Sequence, residues 1–119
     1  MFLQFAALAI AILIGAPADT TEPLTAREVR KAEARARTAA DHLRLAAWYR
    51  SEARQAQANL AEQEALVRSL SRSPELATRS KTPNPLWNAQ AWARIYREKL
   101  QKANKRAAEH ERVAAAASP

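Results

Sequence analysis

Two long stretches of this chain place apolar or small residues at steps of three and four, the period of one face of an α-helix. In the first stretch the seam is His42, Leu45, Tyr49, Ala53, Ala56, Leu60, Gln63 and Val67. In the second it is Ala89, Trp92, Tyr96, Leu100, Ala103, Ala107, His110 and Ala114. Between them, residues 71–85 hold three prolines among serine, threonine and asparagine, a loop composition. Asn84 before Pro85 matches an N-cap followed by proline at the first helical position. Helices are predicted over about 39–70 and 85–116, folding back as an antiparallel αα-hairpin.

A shorter helix should precede them. Thr25 and Glu28 form a capping-box pair, with Leu24 and Val29 at the staple positions, so a helix starts at about Ala26 and runs to Arg37. Thr38-Ala39-Ala40-Asp41 repeats the Thr-x-x-acid pattern, which predicts a break at Thr38 in preference to one continuous helix. With a single glycine and almost no β-branched runs, strands have little support. The fold class is all-α.

The two long stretches also repeat one another at an offset of 47 residues. Tyr49-Arg50 falls on Tyr96-Arg97, Ala61-Glu62 on Ala108-Glu109, and Glu64 on Glu111. Apolar positions correspond as well: Leu45 with Trp92, Trp48 with Ile95, Leu66 with Val113. Alanine matches are discounted because such helices repeat themselves by chance; the Tyr-Arg pair and the Ala-Glu-x-Glu block carry the duplication. A hairpin that keeps this symmetry places opposite each other residues whose numbers sum to 152. Tyr49 then faces Ala103, Tyr96 faces Ala56, Leu60 faces Trp92, and His42 faces His110. Each tyrosine meets an alanine, the interdigitation a close-packed seam requires.

The pattern D-H-x-x-L-A-x-x-Y at 41–49, A-x-x-x-L-A-E-Q-E at 56–64 and A-A-E-H-E at 107–111 resembles small exported bacterial helical proteins. Their repeated unit opens with His, passes through Leu-Ala and Tyr, and closes with a second His before Glu. The resemblance covers roughly residues 38–114 and implies fold and export, with no established activity. This chain departs from the unit at Gln63 and Ala89, which stand where the closing and opening His would be.

Residues 1–18 are uncharged, apolar from Phe5 to Ile14, and end in Ala16-Pro17-Ala18. The expectation is a secretory signal peptide cleaved near Ala18, although the start carries no Lys or Arg; the other reading is an uncleaved anchor. The product would be periplasmic or secreted, with residues 19–24 as a linker and 25–119 as one helical domain. The absence of cysteine excludes disulfides, thiolate metal sites, cysteine catalysis and lipoprotein anchoring. Apolar residues make up 48% of the chain, but alanine dominates and buries little area, so one hairpin should be marginal alone. Self-association into a four-helix bundle would supply the missing burial.

The net charge of +7 favours an anionic partner, and export removes nucleic acid from the expected ones. Residues 94–106 concentrate Arg94, Arg97, Lys99, Lys102, Lys105 and Arg106 against one Glu, a basic patch that would suit an anionic envelope surface. Glu62 and Glu64, like Glu109 and Glu111, are two apart and do not share a helix face, and no nucleophile motif is present, so no enzyme activity is expected. His42 and His110 could ligate a transition metal or haem, with Asp41, Glu109 and Glu111 nearby; the plainer reading is local hydrogen bonding and helix-end electrostatics. No cofactor is the first expectation. The residues expected in the core or at an interface are Leu45, Trp48, Tyr49, Leu60, Trp92, Tyr96 and Leu100. The function expected is helix-mediated association, with itself or an envelope partner. The alternatives are a His-based metal or haem module and a basic helix docking on anionic surfaces.

Overall fold

A computed structural model describes residues 24–73, 75 and 84–117. The expected signal peptide, most of the expected linker and most of the connecting loop lie outside the described residues. Three helices make up the fold: α1 (Ala26–Arg35), α2 (Ala39–Arg72) and α3 (Pro85–Ala117). No strand occurs among the described residues, and no helix is long and apolar enough to cross a membrane. The all-α hairpin preceded by a short helix is the observed architecture.

Each helix start follows from its capping residues. The Thr25 hydroxyl accepts from the Glu28 backbone N–H, and the Glu28 carboxylate takes the Thr25 hydroxyl at 2.7 Å. After Arg35 the chain turns extended at Ala36, and Thr38 caps α2 by accepting from the Asp41 N–H at 3.1 Å. Asp41 reaches back to the N–H groups of Arg37 and Thr38, so the capping box closes in both directions and fixes the break. Asn84 Oδ1 accepts from the Leu86 N–H at 2.9 Å, with Pro85 next to it in sequence needing no partner of its own.

Helices α2 and α3 run antiparallel: partners fall in number along α3 as they rise along α2, from His42–His110 through Arg50–Asn104 to Glu64–Arg97. The seam between them is mostly alanine, with Ala53, Ala56, Ala89, Ala103, Ala107 and Ala114 all buried. Ala46 and Ala93, one duplicated pair outside the predicted seam, are buried too. Small side chains on both sides let two backbones of about 50 Å approach closely along their length. Leu70 and Ala89, with Val67 and Leu86 against them, close the loop end. At the open end Leu24, just before α1, and Val29 within it pack on Leu45, with Trp48 and Tyr49 around them. The staple pair that starts α1 therefore also docks it on the hairpin.

Trp92 departs from the predicted seam: it is 42% exposed and leans on Tyr96, rings 5.7 Å apart, instead of filling the core opposite Leu60. The reason lies in the duplication. Leu45, its counterpart, is fully buried because α1 covers it, and no described element covers Trp92. Trp48, expected in the core or at an interface, is half-buried beside α1.

Candidate functional site

Two ion pairs display the internal symmetry in three dimensions. Arg50 meets Glu111 at 2.6 Å, and Arg97 meets Glu64 at 3.6 Å; a shift of 47 residues turns one pair into the other. Arg50 also donates to Asn104 at 3.0 Å. The hydrogen bond from Arg50 holds the Glu111 carboxyl below the ordinary carboxylate range. Both pairs are largely exposed, so they help set the register and add little stability.

The opposite side of the hairpin carries a groove of about 290 Å³. Its floor is Ala56 and Ala103, and Trp48, Tyr49 and Tyr96 form its aromatic walls. The lining is nearly two-fold: Glu52, Gln55 and Asn59 on α2 correspond to Lys99, Lys102 and Arg106 on α3. The corresponding positions are acidic and neutral on α2 and cationic on α3. Of the six predicted basic-patch residues, the fold thus gathers Lys99, Lys102 and Arg106 at this groove. Arg97 is spent on Glu64, on the other side. Arg94 and Lys105 lie about half a turn from Tyr96, on the outer face of α3. All six are exposed, but they do not form one patch.

At the open end His42 and His110 meet, Nδ1 to Nδ1, at 3.0 Å. One ring must donate and the other accept for this contact to form. His110 Nε2 lies 3.5 Å from Glu33 Oε1, and the same carboxylate oxygen takes the Tyr49 hydroxyl. The Tyr49 ring stacks on His110, centroids 5.8 Å apart and planes 12° apart. Burial pushes Glu33 upward, but the hydrogen bonds from Tyr49 and His110 and the charge of Arg106 outweigh it and hold the carboxyl below its usual range. Tyr49 is pushed up to about 12, by burial first and by Glu33 second.

Of the carboxylates that the sequence places near the histidines, Asp41 is engaged in the α2 cap and Glu111 with Arg50. Glu109 lies close enough for its charge to act on Tyr49, and Glu33 stands at the pair itself. Nothing in the spacing of α2 and α3 points to Glu33, because it belongs to a helix whose docking position no periodicity reveals. Among the described residues no group of three or more His, Cys, Asp or Glu is placed to hold a metal ion.

The third feature is the uncovered face of the second repeat. Trp92 and Ile95, the counterparts of Leu45 and Trp48, are both 42% exposed. Leu66 and Val113, a further duplicated pair, fall on the same side by helical position and are also exposed. Comparison with protein-family models, with curated proteins and with solved structures gives no match.

Proposed function

We propose that this is an exported helical-hairpin protein that works by association rather than catalysis, and that its partner is a second copy of itself. One observation carries the reading. The duplicated hairpin has two equivalent docking faces, and α1 covers the one at Leu45 and Trp48 while Trp92 and Ile95 are left open. Among the described residues one α1 serves two such faces, and a second copy would supply the missing cover. Two hairpins meeting on Trp92, Ile95 and Leu66 would bury these apolar groups in an isologous four-helix arrangement. The sparse, alanine-built core supports the same conclusion, since one hairpin buries few large side chains. Export is supported by the uncharged apolar stretch of residues 1–18 and its Ala16-Pro17-Ala18 ending.

Sedimentation velocity of the purified protein tests the association directly, alongside Trp92→Ala and Ile95→Glu variants. The expected outcome is a dimer for the unaltered protein and a monomer for Ile95→Glu, with helicity unchanged because both side chains are already exposed in one chain. A monomer for the unaltered protein at tens of micromolar, or a dimer indifferent to both substitutions, would sink the proposal.

A further inference from the structure

We propose that His42 and His110 are the two protein ligands of a divalent transition-metal site at the open end of the hairpin, with Cu(II) its tightest occupant. The geometry points there first. The two Nδ1 atoms come from different helices and lie 3.0 Å apart. With metal–nitrogen bonds of about 2.0–2.1 Å, two imidazoles on one ion sit roughly 2.9 Å apart in a cis square arrangement and roughly 3.4 Å apart in a tetrahedral one. The observed separation lies between the two. Trans ligation of a haem iron would need about 4 Å and a slot for the macrocycle, so a bare ion fits this pair and haem does not.

The second observation is what stands behind the ligand. Metal-bound imidazoles commonly donate their other ring N–H to a carboxylate, which fixes tautomer and orientation. Glu33 Oε1 lies 3.5 Å from His110 Nε2, the nitrogen away from the pair. A carboxylate there favours the Nε2–H tautomer and turns the Nδ1 lone pair toward His42. Glu33 is itself held by the Tyr49 hydroxyl, and the Tyr49 ring stacks flat on His110. The His110 ring is thus held in orientation before any ion arrives. On coordination the His42 proton moves from Nδ1 to Nε2, so both Nδ1 lone pairs face the ion and no proton is lost from a neutral pair. The remaining positions go to water, since no third protein ligand is placed nearby among the described residues.

The choice of ion follows from the donors. Two imidazoles suit Zn, Ni and Cu, and the ordinary order of stability puts Cu(II) above Ni(II) and Zn(II). Copper's tetragonal preference also matches the shorter end of the separations above.

Chelator-treated protein titrated with Cu(II), Ni(II) and Zn(II) salts tests the site by calorimetry, and electron paramagnetic resonance of the Cu(II) form reads the ligands. The expected result is one Cu(II) per chain, held at least tenfold more tightly than Zn(II), with a spectrum of two nitrogen ligands. His42→Gln and His110→Gln, which keep side-chain bulk and polarity, should each weaken binding more than tenfold and remove a nitrogen from the spectrum. Glu33→Gln should weaken it about 10- to 100-fold while leaving both nitrogens in place. A Cu(II) spectrum of the unaltered protein without two imidazole nitrogens would overturn the assignment, whatever the variants do. So would affinity unchanged in the His42→Gln/His110→Gln double variant.

Discussion

Individual side chains contribute very unequally to this fold. Among the described residues Leu45 is the one large side chain that is fully buried, at the point where α1, α2 and Tyr49 converge. Leu45→Ala should cost about 2–5 kcal/mol, the usual range for a buried leucine, measured by urea denaturation followed through helix circular dichroism. Glu111→Gln breaks the shortest ion pair among the described residues yet should leave the urea midpoint nearly unchanged, because both partners are substantially exposed. Tyr49 gives a residue-level pH signature. Its folded-state value is raised from 10.0 to about 12, so its contribution to stability is intact below pH 10 and is lost as pH rises toward 12. In a Tyr96→Phe chain, whose single tyrosine is Tyr49, phenolate absorbance should therefore rise with a midpoint near 12. Adding Glu33→Gln should bring that midpoint part of the way down, since burial is the larger cause and remains. The facing of His42 and His110 was legible from the offset of 47 residues and the sum of 152. The third member of the cluster, Glu33, was not, because it depends on tertiary docking of α1.

Helix ends were the most readable elements. Thr25, Thr38 and Asn84 each announce a start by a local rule of side-chain capping, and all three cap helices as that rule requires. Local chemistry cannot say where a capped helix then docks. The position of α1 rests on Leu24 and Val29 meeting Leu45 in three dimensions. The cap at Thr38 sets the angle between α1 and α2, so Thr38→Ala should destabilise by about 1 kcal/mol. Its effect should concentrate in α1, seen as faster amide hydrogen exchange over residues 26–35 with little change in α3. Acid acts on the same joint. Backbone hydrogen bonds from Arg37 and Thr38 hold Asp41 below 3.8, and the Thr25 hydroxyl holds Glu28 below 4.5. Lowered values mean that the stabilisation is present above those ordinary values and disappears as pH falls through the lower folded ones. Exchange in α1 should accordingly accelerate in acid before the α2–α3 seam, where no charged side chain is buried among the described residues.

For the whole molecule, the sequence pattern predicted an antiparallel hairpin, which the fold shows, but drew Trp92 into the seam, where it is 42% exposed. A seam drawn from helical periodicity treats both repeats alike, whereas only the first has a helix to cover it. That asymmetry leads to the central proposal, that the open face of the second repeat is covered by a second copy. The groove differs between repeats in charge, its α3 wall carrying Lys99, Lys102 and Arg106 where the α2 wall carries Asn59, Gln55 and Glu52. Trp92 and Trp87 provide an internal comparison. Trp87 is 72% exposed and sits about 140° around α3 from Trp92, so pairing centred on Trp92 leaves it in solvent. Oxidative footprinting read by mass spectrometry across protein concentration is the most direct measurement. The account predicts that Trp92 oxidation falls several-fold as the protein is concentrated while Trp87 oxidation stays constant. Trp92 reactivity independent of concentration, from dilute protein to one concentrated well past tens of micromolar, would contradict it.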